Sequence, residues 1–160
     1  MEMTMRILYV GFKGKSNTSF QLVSALDGER LFLTNSFDGV ERDIEAMKPV
    51  YDAVIMFGLD KNLVDSVRIE KKAEFQGNAM STECAVDQIA EVFNHNKINC
   101  VISERPTHYL CNDAYYRMLQ KVNGKAIFIH IPGCRHMTDE LMEGIIRSLG
   151  GSPCPSFQNR

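Results

Sequence analysis

The fold of this chain is decided by residues 101–132, which read VISERPTHYLCNDAYYRMLQKVNGKAIFIHIP. The apolar run at residues 100–103 predicts a buried strand, and apolar residues three and four apart over residues 112–122 predict a helix. Residues 109–112 lie in the loop between them, and residues 126–131 predict a second strand. Cys111 and His130 therefore stand at the ends of neighbouring elements, where a nucleophile and its base usually meet. This arrangement predicts a cysteine hydrolase site.

The position of Cys111 near a helix start favours reactivity. A thiol in a first helical turn lies at the positive end of the helix dipole and near unpaired backbone N–H groups, which favour the thiolate. The same N–H groups could bind an oxyanion. Asp113 opposes the thiolate unless its carboxylate points away, because a second negative charge nearby is unfavourable.

Length and charge limit the kind of protein. A chain of 160 residues fits one domain, and we expect a single α/β hydrolytic domain over residues 1–150 and a flexible C-terminal tail over residues 151–160. The net charge of −2 and the pI near 6.1 provide no basic surface for nucleic acid or an anionic membrane. No apolar run reaches the roughly 20 residues that span a bilayer, and the start lacks a signal-peptide pattern. We therefore expect a cytoplasmic protein.

The cysteines are expected to be free thiols. There are five, an odd number with irregular spacing, in a chain with no secretory signal.

The rest of the chain alternates strand-like and helix-like segments. Apolar runs at residues 6–10, 31–33 and 52–58 predict strands, and residues 20–26, 40–47, 86–93 and 141–149 have helical spacing. Asn17 and Thr138 are suitable helix N-caps, and residues 75–82 form a polar connection. The pattern predicts a three-layer α/β/α sandwich around a mixed, mainly parallel sheet.

Residues 66–73 have the period-two pattern of a half-exposed strand, with Val67 and Ile69 on one face. Glu70 falls on the other face with Arg68 and Lys72. By pattern alone Glu70 is therefore a solvated surface charge.

Among the histidines, His130 ends an apolar strand at the edge where ligands bind in open α/β sheets. His95 and His108 are expected to be solvated, and His136 is a second candidate base. Zinc is an open alternative, because the spacings His108-x-x-Cys111 and His130-x-x-x-Cys134-x-His136 contain enough ligands for a tetrahedral site.

The sequence resembles the pyroglutamyl peptidase I family of cysteine peptidases over nearly the whole chain, as a shortened and divergent member. Four of the family's motifs occur in order. They are matched by Gly11-Phe12, by VRIEKKA at residues 67–73, by YLCN at residues 109–112 and by FIHIP at residues 128–132. Gly58-Leu59 also fits the glycine turn that follows the family's central strand.

The resemblance implies a catalytic triad and an activity. Cys111 would be the nucleophile, His130 the base and Glu70 the carboxylate that orients the histidine. The implied fold is the phosphorylase/hydrolase-like sandwich. The implied reaction is removal of an N-terminal pyroglutamyl residue from a small peptide or amide through a thioester, without cofactor or metal, and homo-oligomers are compatible with the family. Residues implied in substrate binding are Gly11, Phe12, Asn17 and Tyr109.

The chain departs from the family around the substrate. The second phenylalanine of the family's first loop, one wall of the ring pocket, falls near Lys15, and the segment after the glutamate is cut to residues 75–78. Two alternatives therefore stay open beside pyroglutamyl hydrolysis. They are hydrolysis of another small amide at a more cationic mouth formed by Lys15, Arg105 and His108, and a binding protein without turnover.

Overall fold

A computed structural model describes residues 4–150. The predicted tail at residues 151–160 lies outside the described residues. The strands are β1 Ile7–Phe12, β2 Glu29–Leu33, β3 Ala53–Asp60, β4 Val67–Glu70, β5 Lys72–Phe75, β6 Asn78–Ser81, β7 Cys100–Ser103 and β8 Ala126–Pro132. The helices are α1 Thr18–Ser24, α2 Phe37–Ala46, α3 Val86–His95, α4 Tyr109–Lys121 and α5 Asp139–Gly150.

Six strands form the main sheet, in the order β2-β1-β3-β8-β4-β7. The first four are mutually parallel. β4 runs antiparallel to β8 and parallel to β7. The sheet is therefore mixed and mainly parallel, as the sequence predicted.

Helices cover both faces of this sheet. Strand residues alternate between two cores, so that Tyr9, Ile55 and Ile129 pack with α1, α3 and α5 on one face. Val10 and Phe128 pack with α2 and α4 on the other. Burial on both faces explains why β3 and β8 are almost continuously apolar. The predicted three-layer α/β/α sandwich is confirmed.

The same alternation gathers five polar or small residues beneath the start of α4. Gly58 is in register with His130, and His130 is in register with Arg68 on the antiparallel neighbour. Asp60 and Glu70 are each two residues further along their strands, so they share this face. Because β4 runs antiparallel to β8, side chains from β3, β8 and β4 meet at one place.

Three local predictions were wrong. The strand at residues 100–103 is not buried: β7 is an edge strand, and Val101 is 55% exposed. Residues 109–112 form the first turn of α4 rather than a loop, and Gly58 lies inside β3 rather than in a turn. Edge position and helix start depend on tertiary packing, which a local apolar pattern does not report.

The predicted polar connection at residues 75–82 is largely a β-hairpin formed by β5 and β6. Its turn residues, Gln76 and Gly77, both have positive φ, 50° and 82°. Two-residue turns of this hand match the twist of antiparallel strands. Each strand is only four residues long, which is too short for its alternation to predict a strand.

Candidate active site

Cys111 lies half-buried in the first turn of α4. The helix is entered through Tyr109, whose φ of 70° is a left-handed conformation. For a residue with a Cβ this costs about 1–2 kcal/mol. Such strain is common at functional sites, where the surrounding structure holds it. His108, the N-cap, has no side-chain capping hydrogen bond.

The neighbouring residue, Asn112, fixes this turn to the hairpin. Its side-chain oxygen accepts a hydrogen bond from the Glu74 backbone N–H at 2.9 Å, and its amide nitrogen donates to the Glu74 carbonyl at 2.7 Å. The side-chain amide thus pairs with β5 as a neighbouring strand would. This anchor holds the helix turn that carries Cys111.

Gly58 makes room for the thiol. A Cβ at this position would lie 2.9 Å from the sulfur of Cys111 and 2.6 Å from the ring of Phe128. These separations are shorter than van der Waals contact, so a side chain here would displace the sulfur or the ring. The absence of a side chain in the central strand is therefore a requirement of the site.

His130 is paired with a buried carboxylate. Its Nδ1 lies 2.8 Å from Oε2 of Glu70, and the two residues are 4% and 1% exposed. An ionised carboxylate only accepts hydrogen bonds, so this contact places the proton on Nδ1 and leaves Nε2 as the basic nitrogen. The hydroxyl of Tyr115 donates to the Glu70 carbonyl at 2.7 Å and covers this end of β4.

The expectation of a solvated Glu70 was therefore wrong in one respect. The alternation along β4 is as predicted, with Val67 and Ile69 on the opposite face. Glu70, however, is 1% exposed, and the hydroxyl of Tyr115 on α4 donates to its backbone carbonyl. A period-two pattern separates two faces but does not say that the polar one is exposed.

Arg68 is a member of this cluster that the sequence analysis did not single out. Its Nε donates to Oε2 of Glu70 at 2.6 Å, and its guanidinium pairs with Oδ2 of Asp60 at 3.0 Å. Its Nη2 lies 3.3 Å from Nδ1 of His130. The signal available in the sequence was the alternation that places Arg68 and Glu70 on one face.

Burial raises the pKa of the Cys111 thiol to about 12, with the carboxylates of Glu70 and Asp60 contributing and Arg68 opposing them. No hydrogen bond between this thiol and the His130 ring is present among residues 4–150. Asp113 is paired with Arg117 at 2.9 Å. The raised pKa favours the neutral thiol, whereas the place of Cys111 at a helix start had predicted that the thiolate is favoured.

This ionisation predicts how Cys111 reacts with a neutral alkylating agent. In the free protein we expect the iodoacetamide rate at Cys111 to be low near pH 7 and to rise steadily through pH 10, because only the thiolate reacts. Exposed Cys134 is the internal reference, and mass spectrometry of the digested protein distinguishes the sites. A Cys111 rate that is already on a plateau at pH 6 would instead indicate a preformed thiolate–imidazolium pair.

Cys111 and His130 line one cavity of about 530 Å³, a volume suited to a small ligand. It opens at the carboxyl ends of β3 and β8 and at the start of α4. Its described lining is Leu59, Asp60, Lys61, Asn62, Arg68, Thr107, His108, Tyr109, Leu110, Cys111 and His130. A second cavity of about 560 Å³, near Arg6 and Leu149, has neither a thiol nor a histidine in its described lining.

The candidate substrate-binding residues are divided between the cavity and the core. Tyr109 lines the cavity and is 85% exposed. Phe12 is buried in the core under α2 and α4. Asn17 caps α1 by accepting from the Ser19 N–H at 2.9 Å, and Gly11 is buried beside Ser19. Their roles toward a substrate remain predictions.

The alternative bases and the zinc hypothesis receive no support from the geometry. His108 lines the cavity rim, whereas His95 and His136 do not appear in its described lining. Within residues 4–150, no three or more His, Cys, Asp or Glu side chains are grouped so that they could hold a metal ion. In the same range, no helix has both the length and the apolar character needed to cross a membrane.

Comparison with solved structures places this arrangement in a known fold. No protein-family model and no curated protein matches the sequence. Pyroglutamyl peptidase I from Bacillus amyloliquefaciens superimposes with a TM-score of 0.77 at 18% identity, covering 90% of this chain and 94% of that chain. The chain has the fold of the pyroglutamyl peptidases.

Two further structures agree with this assignment of the fold. The pyrrolidone carboxyl peptidase from Thermococcus litoralis has a TM-score of 0.72 at 20% identity, covering 91% of this chain and 90% of that chain. The enzyme from Thermus thermophilus has a TM-score of 0.74 at 17% identity, covering 90% and 97%. The fold that the sequence resemblance implied is therefore confirmed, at an identity that reflects considerable divergence.

Proposed function

We propose that this protein is a cytoplasmic cysteine peptidase that removes an N-terminal pyroglutamyl residue from small peptides, with no cofactor or metal. Cys111 is the nucleophile, His130 the general base and Glu70 the orienting carboxylate. The observation that carries the proposal is the 2.8 Å contact between Glu70 and His130 at the cavity that Cys111 also lines. The likeness to pyroglutamyl peptidase structures supports the same conclusion.

The proposed first step starts from a neutral thiol. The sulfur of Cys111 attacks the pyroglutamyl carbonyl carbon while Nε2 of His130 takes the thiol proton. Glu70 stabilises the imidazolium that forms. The imidazolium then protonates the departing amine as the C–N bond breaks, which leaves a thioester on Cys111. Water, deprotonated by His130, hydrolyses the thioester and restores the thiol.

The negative oxygen of the tetrahedral intermediate needs hydrogen-bond donors. The first-turn N–H groups of α4 are the candidates, because they precede the first intrahelical hydrogen bonds and the N-cap side chain of His108 does not cap them. The hydrogen bonds of Asn112 to Glu74 hold this turn and its N–H groups in place. A rigid array of donors stabilises developing charge without reorganisation.

A second candidate is hydrolysis of a small amide that carries a negative charge. It is favoured by the cavity lining, in which Lys61 and His108 stand near apolar Leu59 and Leu110. Phe12, a candidate substrate-binding residue, is instead part of the core. Lys15 and Arg105, which the sequence analysis placed at the mouth, are not in the described lining.

Fluorogenic amides of aminomethylcoumarin separate these functions. We expect the pyroglutamyl amide to be hydrolysed faster than the prolyl amide, which has the ring without the lactam carbonyl, and the Cys111→Ser protein provides the background rate. Faster hydrolysis of the glutaryl amide, an open chain with a carboxylate, would select the second candidate. No turnover of any amide by folded protein would select a binding protein that kept the fold.

A further inference from the structure

Arg68 joins two carboxylates beside the imidazole of His130. It contacts Glu70 at 2.6 Å on one side and Asp60 at 3.0 Å on the other. Its side chain is 23% exposed, so the guanidinium is partly removed from water. The family motif matched by residues 67–73 does not specify the residue at position 68. No step of the proposed reaction uses Arg68.

The contact between Arg68 and the ring is electrostatic in nature. Nη2 lies 3.3 Å from Nδ1 of His130, while Oε2 of Glu70 lies closer, at 2.8 Å. The shorter contact places the proton on Nδ1, which then cannot accept from Arg68. The guanidinium therefore acts on the ring as a neighbouring positive charge.

Glu70 depends on Arg68 as well as on His130. Both hydrogen bonds go to Oε2, and Oε1 is buried with no hydrogen-bond partner among the described residues. A buried carboxylate needs a cationic partner. If Arg68 were absent, the cation available to Glu70 within hydrogen-bond distance would be His130 in its protonated form.

Charged and titratable groups from several elements pair with the ring or line the cavity that it faces. They are Asp60 at the end of β3, Lys61 just after it, Arg68 and Glu70 on β4, and Tyr109 and Cys111 on α4 with His108 before them. Asp60, Arg68 and Glu70 form one connected ion-pair network with the ring and carry a net charge of −1. Lys61 is exposed, so its charge is screened by solvent.

We propose that Arg68 is a positioning residue that sets the pH at which His130 becomes a free base, by bridging Asp60 and Glu70 and offsetting one of their two negative charges. With Arg68 in place the ring faces one net negative charge from this network. Without Arg68 the ring faces two and holds its proton to higher pH. This inference rests on the proposed role of His130 as the base.

Two variants that change the local charge in opposite directions test the inference. Arg68→Gln removes a positive charge and Asp60→Asn removes a negative one, so their effects on His130 are opposite in sign. Arg68→Lys keeps the positive charge but lacks the guanidinium nitrogens that contact Asp60 and Glu70 separately. Arg6→Gln is the matched control, because Arg6 pairs with Glu29 at the other end of the sheet.

The measurement is the titration of the His130 ring by NMR, assigned by its loss in His130→Gln, together with kcat/KM against pH. We expect the midpoint of the His130 titration and the acid limb of the kcat/KM profile to move to higher pH, by about one unit, in Arg68→Gln. In Asp60→Asn both should move to lower pH. Arg6→Gln leaves both unchanged, and Arg68→Lys, which keeps the charge, moves them by less than Arg68→Gln does. Loosened packing would not move the two variants in opposite directions.

The inference is overturned if both variants move the midpoint in one direction or leave it in place. If Arg68→Gln fails to fold by circular dichroism, Asp60→Asn decides, and an unchanged midpoint there overturns the inference. The NMR titration needs no substrate. Protein that titrates as expected but cleaves no amide would therefore refute the proposed function and leave the charge effect established.

Discussion

Cys111→Ala is expected to abolish amide hydrolysis, with a loss of at least about 10⁴-fold in kcat. The thioester route has no substitute for the sulfur, and the neighbouring Asn112 is engaged with Glu74. The fold should survive, because the thiol is only partly buried and the substitution removes one atom. Thermal unfolding should therefore change by no more than about 1 kcal/mol in free energy.

Cys134→Ala is the matched control. Cys134 is exposed in the segment after β8, so the same substitution there should leave the rate unchanged. Substantial activity in purified Cys111→Ala would end the assignment of Cys111 as nucleophile. It would also leave the cavity without an assigned chemistry.

His130→Ala is expected to lower kcat by about 10³-fold or more, because the neutral thiol then has no base to take its proton. The acid limb of the pH–rate profile should disappear, and the residual rate should rise with pH as hydroxide deprotonates the thiol. This follows from the raised pKa of Cys111, about 12. The measurement is kcat/KM between pH 5 and pH 10.

Two control variants accompany that experiment. His130→Gln keeps a donor for the buried Glu70 carboxylate, so it should fold as the wild type does and lose activity to the same extent. His95→Ala changes an exposed residue on α3 and should have no effect. A His130→Gln protein with the wild-type acid limb would assign the base to another group, with His108 next to be tested.

The alternation of the main strands and helices could be predicted because it depends on local signals. Continuous apolar runs mark β3 and β8, which are buried on both faces. His130 stands near the carboxyl end of β8, at the edge where ligands bind in open α/β sheets. The start of α4 lies at the same edge even though β7, the strand before it, runs antiparallel to β8. The resemblance added Glu70, which the residue pattern alone assigned to the surface.

The ion-pair network could not be predicted in the same way. Arg68 faces His130 because β4 runs antiparallel to β8. A four-residue apolar pattern does not indicate in which direction a strand will pair with its neighbour. Asp60 joins the network because β3 continues two residues beyond Gly58. The ionisation of Cys111 was misjudged for a related reason, since the helix start was visible in the sequence and the burial of its thiol was not.

Position 58 has a consequence for reading divergent relatives of this chain. Because a Cβ there would meet both the sulfur of Cys111 and the ring of Phe128, the position admits glycine only as long as a thiol occupies the site. A chain with this fold and a larger residue at that point of the central strand would have to hold its thiol elsewhere, even where its cysteine and histidine motifs persist. In this chain, the absence of a side chain at one position of the central strand is what lets the first turn of α4 rest directly against the sheet.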